Sequence, residues 1–219
     1  MYEDVFMEIE FKFYIPESLE IQEIKDDAFW QLFPLKSWKE ERQIAHYFRD
    51  QDNLLHTRGI ALRLRQEGSQ KILTAKLKTE MEGTYSEREE HAVIWPKNIP
   101  SKDECIHAFL HYGLDENHIL IRTLHEIQGE LIADMISDVI RHEVDILDTN
   151  NHFVLSMDEG YLQVDSIQEK CYELEIEYKL GSKQQFTNFA HTIQSHFRLI
   201  SPSENKYTRL QRLRSMSHE

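Results

Sequence analysis

Five separate stretches of the chain alternate charged and apolar residues with a period of two, and this constrains the fold more than any other feature. Successive side chains of a β-strand point to opposite faces. Glu8, Glu10 and Lys12 therefore share one face, and Ile9, Phe11 and Phe13 the other. Arg63 and Arg65 alternate with Ile60, Leu62 and Leu64, and Thr74, Lys76 and Lys78 alternate with Leu73, Ala75 and Leu77. Arg141, Glu143 and Asp145 alternate with Ile140, Val144 and Ile146, although His142 interrupts the apolar side. Glu173, Glu175 and Glu177 alternate with Tyr172, Leu174, Ile176 and Tyr178.

A row of arginines or glutamates on one strand repels itself unless opposite charges lie across the sheet. A closed antiparallel barrel brings basic and acidic strands face to face around one lumen. Its apolar outer surface then has to be covered by helices, the inverse of the usual barrel with an apolar interior. The expected fold is thus α+β, a closed eight-stranded antiparallel barrel with a charged lumen flanked by helices. Such a lumen suits a polyanion together with metal ions.

The 219 residues are expected to form a single domain, and a hydrophobic content of 40% is that of a globular protein. A formal charge of −14 argues against nucleic acid as the main partner, because a phosphodiester-binding face is basic. Cys105 and Cys171 lie far apart with no CxxC spacing, which gives neither a disulfide framework nor a cysteine zinc site. No apolar run approaches a membrane span, and the acidic start Met1-Tyr2-Glu3-Asp4 is unlike a signal peptide. A cytoplasmic protein with no membrane partner is expected, as a monomer or homodimer.

In chain order, a helical segment is expected from Pro16 to about Phe33, with Leu19, Ile24, Phe29, Leu32 and Phe33 buried. A strand within 38–49 and a turn at 50–53 precede a hairpin that turns at Glu67-Gly68-Ser69. Gly83 separates this hairpin from a strand over Tyr85 to Trp95, where Arg88 and Glu90 share a face. Ser101-Lys102-Asp103-Glu104 has capping-box spacing and starts a helix with Cys105, Ile106, Phe109 and Leu110 on one side. Further strands are expected over 119–127, 131–136, 140–147, 153–158, 161–164 and 171–180. An amphipathic helix around Phe186 to Phe197 and a basic helix over 204–214 follow.

The set Glu8-x-Glu10-x-Lys12, Tyr47-Phe48, Gly59-x-Ala61-Leu62-Arg63-Leu64-Arg65, Thr74-Ala75-Lys76, Arg88-x-Glu90 and Glu173-Leu174-Glu175-Ile176-Glu177 resembles the CYTH superfamily of triphosphate tunnel metalloenzymes in order and spacing. The pattern Glu-x-Glu-x-Lys alone is unspecific, since it recurs at 175–179. Two departures stand out: the family's Tyr-Phe-Asp is here Tyr47-Phe48-Arg49-Asp50, and Ala75 replaces a common leucine. The resemblance implies a triphosphate-bearing small-molecule substrate and Mg2+ or Mn2+. Among branches it is most similar to bacterial inorganic triphosphatases.

On that footing Lys12, Arg63, Arg65, Lys76, Lys78, Arg88, Arg141 and Lys206 are candidate substrate-binding residues. Guanidinium forks grip phosphate oxygens in pairs, whereas lysines act as compact point charges. Glu8, Glu10, Glu173, Glu175 and Glu177 are candidate metal ligands, offering the hard oxygens that Mg2+ or Mn2+ accepts. Glu8, Glu10, Lys12 and Glu175 are the candidate catalytic set. His107 and His111 have helical i, i+4 spacing but no third partner, which makes them surface residues. The expected reaction is hydrolysis of inorganic tripolyphosphate to pyrophosphate and phosphate. The alternatives are a class IV adenylate cyclase, a thiamine or nucleoside triphosphatase, and a non-catalytic polyphosphate- or nucleotide-binding module.

Overall fold

A computed structural model describes residues 6–78, 81–82 and 84–217. The acidic N-terminal tetrapeptide and Gly83 lie outside these residues. The strands are β1 (Phe6–Tyr14), β2 (Lys39–Arg49), β3 (Ile60–Glu67), β4 (Gln70–Leu77), β5 (Met81–Glu82), β6 (Tyr85–Ile94), β7 (Ile132–Leu147), β8 (His152–Val164) and β9 (Ile167–Leu180). The helices are α1 (Ile21–Asp26), α2 (Leu54–Thr57), α3 (Lys102–His111), α4 (Ile119–Glu126), α5 (Lys183–Phe197) and α6 (Lys206–Ser217).

Eight strands pair antiparallel in the order β1-β9-β8-β7-β2-β3-β4-β6, and the pairing of β6 with β1 closes the barrel. The two-residue β5 extends the sheet along β6 beyond the end of β4. The expected hairpin is present, with Glu67 opposite Gln70 and Gly68 supplying a positive φ of 52° in the turn.

The period-two alternation turns apolar residues outward, where helices cover them. Phe186, Phe189, Ile193 and Phe197 of α5 pack on Ile9, Phe11, Phe13, Leu155 and Leu174, together with Ile24 of α1. On another part of the wall, α3 and α4 lay Cys105, Phe109, Leu120 and Leu124 over Ile60, Leu62, Leu73 and Val93. A third cluster lies inside the barrel. Tyr207, Leu210 and Leu213 of α6 pack on Ala45, Met135, Val139, Leu162 and Cys171. These strand residues have the same parity as the charged lumen residues of their strands, so α6 plugs one section of the tunnel. Both cysteines are buried free thiols.

Several element expectations need correction. Residues 119–126 form α4 rather than a strand, because Leu120, Ile121 and Leu124 are buried at helical spacing and pack beside α3. The long helix expected up to Phe33 breaks after α1. Asp27 adopts an extended conformation and its side chain accepts from the Phe29 amide, starting a 3-10 turn over Ala28–Leu32. Leu32 is 75% exposed there, not buried. The four short strands expected between 131 and 164 are two long ones, β7 of 16 residues and β8 of 13.

Gly160, in the middle of β8, shows why the last reading failed. A Cβ at this position would lie 2.1 Å from the Asp138 carbonyl oxygen and 2.7 Å from Val139 Cα, so the glycine marks close strand approach rather than a turn. Gly160→Ala is therefore expected to lower stability by ~1–3 kcal/mol, the cost of overpacking, as a drop in the urea midpoint. An unchanged midpoint would show that β7 and β8 can separate freely.

Candidate active site

Strand register places opposite charges side by side on the lumen wall. Lys12 of β1 lies opposite Glu175 of β9, and their side chains are 2.8 Å apart. Glu8 lies opposite Arg88 of β6 and accepts from its Nε at 2.7 Å, while another nitrogen of the same guanidinium reaches Glu10. Lys76 of β4 faces Glu90 at 3.3 Å and donates to Glu8 at 2.6 Å. Arg141 of β7 grips Asp158 of β8 through two bonds of 2.7 Å and also reaches Glu175 at 2.9 Å.

The α6 helix completes this network from the plugged end. Its Lys206 Nζ lies 2.9 Å from Asp158, 2.6 Å from Glu173 and 3.0 Å from Glu175. Arg209 takes the other oxygen of Glu173, which is fully buried. Depth along β9 therefore sorts three acids that look alike in sequence. Glu173 is sealed beneath α6, Glu175 is shared among three cations, and Glu177 lies farther up the cavity beside Lys179.

Burial alone would raise the pKa values of Glu8, Glu175 and Asp158, but the cations around them outweigh it. Glu8 is held well below the usual carboxylate range by Lys76 and Arg88, and Glu175 by Lys12, Lys206 and Arg141. Arg141 and Lys206 hold Asp158 down to about 2. A carboxyl depressed in the folded state stabilises above its unfolded value near 3.8 and loses that contribution as pH falls through about 2. The urea midpoint should accordingly fall between about pH 4 and pH 2. A midpoint that stays flat across this window would contradict the charge network.

The β3 wall, four strands from β9 around the barrel, is different. Arg63 has no carboxylate partner among the described residues; its nearest polar contact is the Tyr47 hydroxyl at 3.4 Å. Arg65 pairs with Glu67 at 2.6 Å, yet the buried Nε of each arginine lacks an acceptor among the described residues. Burial, together with repulsion from Arg63 and Arg141, pushes Arg65 down to about 10. For Tyr47, burial raises the phenol, but Arg63 and Lys206 outweigh it and the net shift is downward. Lys78 is exposed at the rim of the cavity.

This gives a cavity of about 2150 Å3 with a saturated acid-rich wall on β1 and β9 and an under-neutralised basic wall on β3. For a hard divalent ion, Glu8, Glu10 and Glu177 offer the best donor set. Glu10 and Glu177 lie directly opposite in register. Burial, with repulsion from Glu8, keeps the Glu177 carboxyl raised despite Lys179 and Lys76 nearby, an unfavourable charge that a cation would relieve. Among the described residues, no three of the expected ligands have their oxygens within 4.8 Å of one another, because lysine and arginine stand between them. Glu173 is unsuited to this task, with both oxygens committed to Lys206 and Arg209.

Sequence reasoning missed Asp158 and Arg209 as members of this network. The motif departure at Arg49-Asp50 also finds its explanation here. Arg49 pairs with Asp134, and buried Asp50 caps α2 by accepting from the Leu54 and Leu55 amides at 2.8 and 2.9 Å. His107 and His111 are exposed on α3, as expected.

The CYTH domain family matches residues 7–210. No curated protein matches the sequence significantly. Among solved structures, an adenylyl cyclase candidate from Hippeastrum, described as showing a dominant triphosphatase activity, is 17% identical with a TM-score of 0.61. The match covers 93% of this chain and 95% of that one. An adenylate cyclase candidate from Bacillus halodurans is 20% identical with a TM-score of 0.54, covering 92% and 96%. One from Vibrio parahaemolyticus is 11% identical with a TM-score of 0.55, covering 94% and 97%. At these identities the likeness is one of fold.

Proposed function

The chain belongs to the CYTH family, and from that premise we propose that it is a metal-dependent hydrolase that splits inorganic tripolyphosphate into pyrophosphate and phosphate. The observation that carries this reading is the imbalance across the lumen: among the described residues, Arg63 and Arg65 have buried guanidinium nitrogens without acceptors, opposite acids that are already neutralised. A triphosphate brings about four negative charges and many acceptor oxygens, and it would fill that deficit.

Glu8, Glu10 and Glu177 would hold Mg2+ or Mn2+, which when bound supplies charge neutralisation and an activated water. With another cation to face, those carboxylates would leave Lys76 and Arg88 free to turn toward phosphate oxygens. Arg63 and Arg65 grip the chain of phosphates from the β3 wall, and Lys78 meets it at the rim. Glu175 positions Lys12 and Arg141 by holding both. Glu173, Asp158 and Lys206 form the floor that keeps this arrangement rigid.

A second reading rests on cavity size. About 2150 Å3 exceeds what a bare tripolyphosphate fills, and its lining includes Tyr112 and His111 near the α3 end, so a nucleoside or thiamine portion also has room. That favours ATP or thiamine triphosphate as substrates, with class IV adenylate cyclase chemistry as one outcome. A panel of tripolyphosphate, ATP and thiamine triphosphate with Mg2+ or Mn2+ distinguishes these, reading phosphate, pyrophosphate and cyclic AMP separately. The highest kcat/KM is expected for tripolyphosphate. Cyclic AMP as the dominant product would overturn the hydrolase reading.

A further inference from the structure

Outside the tunnel, Glu89, His91 and His118 bring one carboxylate oxygen and two imidazole nitrogens within 4.8 Å of one another. Glu89 and His91 sit on the outward face of β6, since the intervening parity of Arg88 and Glu90 points into the lumen. His118 comes from the connector between α3 and α4. Both imidazoles aim Nε2 at the same Glu89 oxygen, at 2.5 Å for His91 and 2.8 Å for His118. The rings stand nearly perpendicular, with centroids 5.2 Å apart. All three side chains are partly buried, retaining 13–25% exposure, so a ligand can enter while water is restricted.

We propose that Glu89, His91 and His118 form a binding site for a divalent transition ion of the zinc class, separate from the lumen carboxylates. Two imidazoles and one carboxylate are a zinc donor set with at least one position left for water, whereas Mg2+ prefers all-oxygen surroundings. The two metal preferences therefore divide between the lumen side of β1 and β9 and the outer side of β6. His118 Nδ1 accepts from the Leu120 amide at 3.2 Å, so its proton resides on Nε2 and points at Glu89. Metal capture through Nε2 moves that proton to Nδ1 and gives up the Leu120 bond, a long one in the first turn of α4. The oxygen to nitrogen contacts must also widen by roughly half an ångström or more to admit an ion with ~2 Å bonds.

The site's position gives it a consequence. It would tie the connector leading into α4 to β6, and Glu89, His91, Asp115 and His118 all line the mouth of the same cavity as the tunnel residues. Binding should stiffen this end of the molecule without occupying the carboxylates of the β1 wall.

The test is titration of the full chain with Zn2+ in the presence of excess Mg2+, followed by calorimetry, with Co2+ absorption as a second readout. One equivalent of Zn2+ is expected for the wild type. His91→Ala and Glu89→Gln should each weaken it by at least ~10-fold, since losing a ligand costs no less than losing its support. The Co2+ visible bands should vanish in both. His91 makes no helix cap, so its removal leaves α4 intact, and circular dichroism checks the fold of each variant. A His107→Ala/His111→Ala control should bind Zn2+ normally. Unchanged binding in folded His91→Ala, or Zn2+ displaced by raising Mg2+ further, would overturn the assignment and place the ion elsewhere.

Discussion

Lys206→Ala is expected to cost about 3–5 kcal/mol of folding stability at neutral pH, the range for removing one partner of a buried ion cluster. Its ammonium touches Asp158, Glu173 and Glu175, and the first two are 1% and 0% exposed. Without it, those three carboxylates must share Arg141, Arg209 and Lys12, of which Arg209 and Lys12 also serve Glu169 and Glu10, and the under-neutralised charge has no water to turn to. The first residue of α6 also loses its anchor to β8 and β9, which loosens the plug formed by Tyr207, Leu210 and Leu213. The pH dependence gives the sign. With Lys206 gone, the folded-state carboxyls rise, so the variant carries a penalty above the unfolded carboxylate range that disappears as they protonate. The gap between variant and wild type should thus be widest near neutrality and shrink below about pH 4, as measured by urea denaturation at both pH values. A loss under ~1 kcal/mol would mean that Lys206 is a spare cation held for substrate, the role its sequence position implies.

That contrast bears on what could be read from the chain alone. The alternation at 8–13, 60–65, 73–78 and 172–178 was legible because these strands turn charged side chains to the lumen and apolar ones to the covering helices. Asp158 left no such trace. It is the single acid in Phe153-Val154-Leu155-Ser156-Met157-Asp158, where both faces are buried and the pattern is nearly continuous apolar sequence. The segment Ile119 to Ile127 satisfies strand and helix patterns equally well. Its identity was decided by packing against α3 rather than by local preference. Above all, sequence cannot show which cations are already neutralised. Arg63, Arg141 and Lys206 are alike as basic residues facing a lumen, yet Arg141 and Lys206 are surrounded by acids and Arg63 is not. Charge balance is a property of register and depth, and it appears only when the strands are closed into a ring.

Arg65→Ala should behave oppositely to Lys206→Ala. Its guanidinium is crowded by Arg63 and Arg141, is partly buried, and leaves Nε without an acceptor among the described residues, so the tunnel holds this charge at a cost. The sign follows from the same linkage. A cation whose folded value, about 10, lies below its unfolded value destabilises the fold while charged, and that penalty fades only as pH rises past about 10. Removing the residue at neutral pH should leave stability unchanged or slightly higher, apart from the loss of its rim contact with Glu67. Tripolyphosphate binding should weaken by more than ~1.5 kcal/mol, the lower end for a charge-assisted hydrogen bond, or roughly tenfold in affinity. Bound anion relieves the crowding in the wild type, so tripolyphosphate with Mg2+ should raise the wild-type Tm far more than that of Arg65→Ala. Calorimetric titration and thermal denaturation of the two proteins, each with and without Mg2+, read both effects. A large melting loss with unchanged affinity would mean that Arg65 is held by Glu67 as a structural pair, and the basic wall would then lose its claim as the phosphate-binding side of the tunnel.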